Sequence, residues 1–190
     1  RLDDNFLDPK AFNKDSVIGV PGLFKSWLKK NVGIINAIGT GVADDKLVYS
    51  YVNKMIVYYL GEQPILNQVE TYLCHDESQK KYVLDNLSKL VVKPANASGG
   101  YGIMIGPKAS NKEREEVAEK IKKNPREYIA QPLETLSTAP TITDKDIEPR
   151  HLDLRPFVLS GKTNYVTTGG LTRVAPVSYT HLTLPTTSPV

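Results

Sequence analysis

An apolar run that ends in lysine and proline, LVVKP at residues 90–94, is followed only a few residues later by a second, GIMIG at 102–106. Between them lies ANASGGY. Runs this close together pair as a hairpin with the glycine segment as its tip, and this commits part of the chain to antiparallel sheet. The same reading holds further on, where HLDLRPFVLS (151–160) and TNYVTTGGLTRVA (163–175) flank a short turn at Gly161 and Lys162. EYIAQPL adds a strand near residue 130, VETYLC a short one near 72, and VGIINAIG at 32–39 reads as a buried strand.

Helices alternate with these strands. Ala43–Leu60 places Leu47, Tyr51, Met55 and Tyr58 at helical spacing, with Asp44 and Asp45 at its N-terminus and Gly61 as a stop. DESQKKYVLDNLSKL predicts a second helix opening near Ser78 that buries Tyr82, Val83, Leu87 and Leu90. Ser110 with Glu113 forms a capping box for NKEREEVAEKIKK, and Asn124 with Pro125 ends that helix. Helices mixed with short-looped strands, without a regular βαβ series, predict an α+β fold.

Composition narrows the function. The 190 residues carry 24 basic and 21 acidic side chains, and a net charge of +3 without a long block of one sign gives little support for a nucleic-acid partner. A single cysteine, Cys74, cannot form an internal disulfide, and neither a signal peptide nor an apolar run of membrane-spanning length occurs, so a reducing cytoplasm is the expected setting. The three histidines and one cysteine form no nucleophilic triad or metal motif; His75 beside Cys74 stands without further ligand-type neighbours in sequence. The last fifteen residues, PVSYTHLTLPTTSPV, are uncharged apart from one histidine and rich in threonine, serine and proline. They read as a disordered or foreign tail, and the abrupt start RLDDNFLDP reads as a piece of something longer.

The glycine segment leaves two readings open. A triphosphate needs unobstructed backbone N–H groups and a fixed cation, which SGGYG and Lys93 supply. The spacing matches neither a Walker loop nor a dinucleotide fingerprint, because a strand and not a helix follows the glycines. Equally, Gly99, Gly100 and Gly102 can serve turn geometry alone, with Lys93 reaching out from a strand edge.

Taken together, NAIGTGVADDK, VVKPANASGGYG and LDLRPFVLSGK…GGLTRVA resemble the ATP-grasp superfamily. More narrowly, the chain is similar to the circularly permuted branch related to glutathionylspermidine synthetase and glutathione synthetase, from Arg1 to about Ala175. The resemblance implies an ATP-grasp fold, incomplete in this chain, with residues 1–175 as a partial domain and 176–190 outside it. It implies that Lys46 and Lys93 flank ATP, and that Ser98, Gly99, Gly100, Tyr101 and Gly102 form a flap over the phosphates. Gln131 would lie at the adenine hinge, its backbone reading the base. Arg155 and Arg173 would bind the γ-phosphate, acceptor carboxylate or acyl phosphate, and Asp153 would hold an arginine or approach a metal. Without the resemblance each has a plainer reading: Lys46 pairing with Asp44 or Asp45, Gln131 as an ordinary strand residue, Asp153 and Arg155 as a surface ion pair on one strand face.

The implied activity is ATP-dependent carboxylate–amine ligation through an acyl phosphate, with Mg2+, a small-molecule or peptide carboxylate and an amine as substrates. A nucleotide-binding module without ligation, or a kinase of a small molecule, is the alternative. The family's magnesium motif of Glu, Asp and Asn is expected upstream of the segment seen here, and no motif makes Asp3, Asp4 or Asp8 metal ligands. Asp8-Pro9 reads as a turn.

Overall fold

A buried carboxylate, more than apolar packing, organises the N-terminal region of the computed structural model, which describes residues 4–35, 38–97, 100–144 and 146–177. Contacts divide the chain into two units, residues 1–97 with 102–132, and residues 98–101 with 133–190. Helices α1 (Asp4–Leu7) and α2 (Leu23–Leu28) are short, and Asp8 between them is 1% exposed. Its Oδ1 accepts from the backbone N–H of Lys10 and Gly22 at 2.8 and 2.9 Å, and Oδ2 from that of Phe24 at 2.9 Å. Burial opposes ionisation of this group, but the three N–H donors outweigh it and hold the carboxyl below its ordinary range. The expected turn is there, since Ala11 and Phe12 N–H groups bond back to the Asp8 carbonyl.

The strand expected at 32–39 does not form among the described residues, which are bends and turns there; Asn36 and Ala37 lie outside them. Ile35 is 98% exposed and Gly39 adopts φ +90°, neither of which suits a buried strand. The helix expected over 43–60 is broken into a 3₁₀ turn (Thr40–Asp44), α3 (Lys46–Tyr49) and α4 (Val52–Leu60). Asp45 is extended and its carboxylate caps the Leu47 N–H at 2.8 Å, which starts a new helix at Lys46. The expected apolar face is only half realised: Leu47 is buried and Tyr51 packs beside it, but Tyr58 is 82% exposed. Gly61 ends α4 in the left-handed region, as expected.

The remaining elements of the first unit are β1 (Tyr72–Leu73), α5 (Glu77–Asp85), β2 (Leu90–Pro94), β3 (Met104–Ile105), α6 (Asn111–Lys123) and β4 (Tyr128–Pro132). The strands form one antiparallel sheet in the order β1-β4-β2-β3, so the predicted β2–β3 hairpin is present, in register Val91↔Ile105 and Val92↔Met104. Ser110 and Glu113 make the capping box of α6, and Asp76 caps α5 by accepting from the Gln79 N–H at 2.9 Å. Side chains alternate between the two faces of the sheet. Leu90, Val92, Met104 and Ala130 turn to one face and pack against Val83 of α5 and Ile121 of α6, with Cys74 and Leu87. Ile129 and Leu73 turn to the other, against Leu47, Ala95 and Tyr51. Gly106, just after β3, lies against the α5–β2 connection so closely that a Cβ would stand 1.8 Å from the Leu87 carbonyl oxygen.

The second unit is a three-stranded antiparallel sheet of β5 (Thr138–Ile142), β6 (Ile147–Ser160) and β7 (Asn164–Pro176) in that order. The turn at Gly161 and Lys162 joins β6 to β7 as expected, while β5, paired with β6 from Thr138↔His151 to Ile142↔Ile147, is an addition to the expected elements. Antiparallel sheets with helices on one of them give the α+β class that the sequence predicts. The expected tail lies outside the described residues from 178 onward. Among the described residues no helix is long and apolar enough to cross a membrane.

Candidate nucleotide site

The sheet face opposite α5 and α6 carries two charged or polar side chains that the sequence singled out. Register pairs Val91 with Gln131 and Lys93 with Ile129, which puts Lys93 and Gln131 diagonally across β2 and β4 on one face. Their side chains meet: Lys93 Nζ donates to Gln131 Oε1 at 2.6 Å, and Gln131 Nε2 donates to Thr71 Oγ1 at 2.9 Å. The Thr71 hydroxyl in turn donates to the Val69 carbonyl at 2.9 Å. The Ala95 N–H bonds to the Glu127 carbonyl, and the alternation of an antiparallel ladder from that pair directs the backbone of Gln131 to Val91. Gln131, 7% exposed, therefore has backbone partners within the sheet and presents its side chain to the lysine.

Lys46 enters from the first residue of α3. Its backbone N–H bonds to the Ala95 carbonyl at 3.1 Å and its Nζ to the Ala97 carbonyl at 2.5 Å, so it ties the start of α3 to the stretch leading from β2 into the glycine loop. Asp45 beside it caps the helix and pairs with Arg126 at 3.1 Å. The two lysines feel each other: burial and then the charge of Lys46 hold the Lys93 ammonium below the ordinary lysine value. Lys93 is thus held by a neutral amide and lies within reach of the Lys46 charge.

Within the glycine segment, Ser98 and Gly99 lie outside the described residues. Gly100 and Gly102 adopt φ +80° and +71°, and a Cβ on Gly102 would stand 2.9 Å from Pro94 Cγ. Turn geometry therefore requires glycine at 102 whatever else the loop does. Tyr101 between them is 81% exposed.

In the second unit, β6 and β7 bring Asp153, Arg155 and Arg173 together. Asp153 and Arg173 are direct cross-strand partners, and Arg173 donates from Nη2 to Asp153 Oδ2. Arg155, two residues along the same face, has its Nε 3.7 Å from the same oxygen. Asp153 thus contacts both arginines, the first of the roles that the sequence left open for it. Arg173 Nε is buried without a hydrogen-bond partner among the described residues. His151 is buried by a separate arrangement, its ring nitrogens 3.1 Å from the Leu136 carbonyl and 3.3 Å from that of Val177.

Of the residues that the sequence singled out, Lys46, Lys93 and Gln131 lie near one another in one unit and Asp153, Arg155 and Arg173 in the other. Thr71 was missed, since nothing in the sequence links it to a glutamine sixty residues away. Cys74 is fully buried, and desolvation pushes its thiol up to about 11, so it is an unreactive core residue. Among the described residues no three His, Cys, Asp or Glu side chains converge to hold a metal.

An antiparallel sheet with helices on one face and paired lysines on the other, beside a glycine loop between two of its strands, defines an ATP-grasp type of α+β domain. The chain belongs to the family described as circularly permuted ATP-grasp type 2, which it matches over residues 1–175. It is 55% identical over 176 residues to an uncharacterized protein of Synechocystis sp., covering 92% of this chain and 37% of that protein. An uncharacterized protein of Mycobacterium tuberculosis is 51% identical over 176 residues, 92% of this chain and 32% of its own length. A Frankia casuarinae protein named "Putative glutamate--cysteine ligase 2-2" is 47% identical over 176 residues, 93% of this chain and 20% of its own length. The chain therefore spans between a fifth and two fifths of these relatives.

Proposed function

We propose that residues 1–175 carry the nucleotide-binding part of an ATP-dependent carboxylate–amine ligase that works in the cytoplasm. The observation that carries this reading is the pair of lysines: Lys46 and Lys93 come from different elements, lie close enough for one to depress the other's basicity, and face the end of β2 where the glycine loop begins. A triphosphate bound beside them would offset the repulsion that the Lys46 charge exerts on Lys93. Membership of the ATP-grasp family supports the same reading.

In this proposal Lys46 and Lys93 bind the α- and β-phosphates, and the loop from Ser98 to Gly102 closes over the β- and γ-phosphates with its backbone N–H groups as donors. Gln131 acts through its side chain, as the partner of Lys93. Arg155 and Arg173, oriented by Asp153, receive the negative charge of the acceptor carboxylate and of the phosphoryl group in transit. A substrate carboxylate oxygen attacks the γ-phosphorus and ADP leaves. An amine then attacks the acyl carbon, phosphate departs, and the amine proton passes to solvent. Family membership implies magnesium, but the described residues supply no cluster that fits it, and none of these steps is assigned to a metal.

The name of the Frankia relative makes glutamate and cysteine the first acid and amine to try. The full-length protein is incubated with Mg-ATP and candidate acids, with and without amines. Amine-dependent ADP release is expected. Amine-independent release would make it a kinase, and tight binding without turnover a non-catalytic module. A Lys93→Ala protein that binds ATP as well as the parent would remove the basis of the assignment.

A further inference from the structure

We infer that Thr71 and Gln131 are positioning residues for Lys93, forming a directional chain that holds the lysine ammonium in place with a neutral acceptor. The inference rests on the nucleotide-binding reading for its purpose, and on geometry alone for its existence.

Direction comes from counting protons. Thr71 has one hydroxyl proton and spends it on the Val69 carbonyl at 2.9 Å. Its oxygen is left as an acceptor, so the group of Gln131 that faces it at 2.9 Å must be the Nε2 amide donor. The amide is thereby turned with Oε1 toward Lys93, at 2.6 Å. A reversed amide would set donor against donor at Lys93 and acceptor against acceptor at Thr71. Gln131 is 7% exposed, so water cannot readily replace either bond. The Val69 carbonyl, one hydroxyl and one amide thus fix where the ammonium stands.

The neutrality of the acceptor matters as much as its position. An ammonium has three donors, and the chain occupies one. A glutamate at 131 would hold the lysine equally well but cancel its charge before a ligand arrived. With the amide, no carboxylate offsets the Lys93 ammonium, and an incoming polyanion would act against the burial and the Lys46 charge that disfavour it.

The test uses the full-length protein and two readouts, ATP affinity by calorimetry and the pH titration of the Lys93 13Cε resonance. Thr71→Val removes the acceptor and lets the amide turn. It should weaken ATP binding by about five- to tenfold, the size of one hydrogen bond, and lower the Lys93 titration midpoint. Thr71→Ser should restore both. Gln131→Glu should weaken ATP at least as much but move the midpoint the opposite way, upward, because a carboxylate favours the charged lysine. In a Lys93→Met background Thr71→Val should have no further effect on ATP binding. The inference falls if Thr71→Val leaves the midpoint unchanged, or if its effect on ATP persists without Lys93, since Thr71 would then act through the fold. If Lys93→Met leaves ATP affinity intact, the nucleotide reading falls instead, and the opposed midpoint shifts of Thr71→Val and Gln131→Glu still decide the positioning chain. Should Thr71→Val fail to fold, the Gln131→Glu shift and the Thr71→Ser protein carry the same decision.

Discussion

β6 and β7 run for 14 and 13 residues, whereas no strand of the four-stranded sheet exceeds five, yet it is the short-stranded sheet that owns a core. Val83, Val92, Ile121, Ile129 and Ala130 of the first unit are at most 1% exposed. On β6 and β7, Leu154, Phe157, Val158, Leu159, Val166 and Leu171 are each more than half exposed, on both faces of the sheet. Ladder hydrogen bonds exchange water for protein and contribute modestly each, while burying an aliphatic side chain contributes about 1.5–3 kcal/mol. Strand length and stability are therefore separate properties here. The first unit is built to keep a lysine-bearing face in position, and the second displays its arginines on a scaffold held mainly by backbone pairing.

This contrast can be broken most forcefully at a glycine. Gly106→Ala would push a Cβ into the Leu87 and Leu90 carbonyl oxygens, at 1.8 and 2.6 Å, and rigid backbone stands on both sides. Denaturant unfolding should show a loss above about 4 kcal/mol or no folded protein at all. Gly170→Ala meets the Arg155 carbonyl oxygen at 2.9 Å in a sheet free to adjust, and should cost less than half as much. Equal losses would mean that the two units are equally rigid. Next in size, Ile129→Ala should cost about 2–5 kcal/mol by emptying a site between Leu73 and Leu47, while Val166→Ala on the exposed hairpin should stay within about 0.5 kcal/mol.

Lys93→Met sharpens the comparison by separating stability from binding. The folded-state pKa of Lys93 lies below its unfolded value, so the fold disfavours its charged form. That cost is fully present below the folded pKa and is relieved as pH rises from the folded toward the unfolded value. At neutral pH the substitution should therefore raise the melting temperature while weakening ATP binding roughly tenfold or more, the worth of one charge-assisted hydrogen bond. ATP affinity of the parent should fall with rising pH before ordinary lysines titrate. A variant that loses stability would show that Lys93 is a structural cation. The smallest effect belongs to the second unit: Asp153→Asn should change stability by less than about 1 kcal/mol, because its arginines are partly solvated, and calorimetric melting checks it.

Local rules made much of this legible. The capping box at Ser110, the β2–β3 hairpin and the β6–β7 hairpin were each specified by residues within a short window, and all three stand where the sequence puts them. Readings that needed distant partners fared differently. VGIINAIG has the composition of a buried strand, but its described residues form none, and Ile35 points to solvent. β5 carries Pro140 within an alternating TAPTI, a pattern that pairs only because β6 lies beside it. Within the candidate site, lysine, glutamine and arginine drew attention as residue types. Thr71 did not, because a hydroxyl acquires its role from the atoms that the fold delivers to it; likewise Asp8 read as a turn, but not as the acceptor of three backbone N–H groups.

Cys74 turns the first core into its own recorder. It is the one thiol in the chain, wholly enclosed beside Val83 and Ile121, and its high pKa keeps it protonated at neutral pH. A disulfide reagent can reach it only when that core opens. The labelling rate at increasing reagent concentration will therefore report how often, and with what free energy, the sheet beneath Lys93 opens under native conditions. Bound ATP should slow that clock.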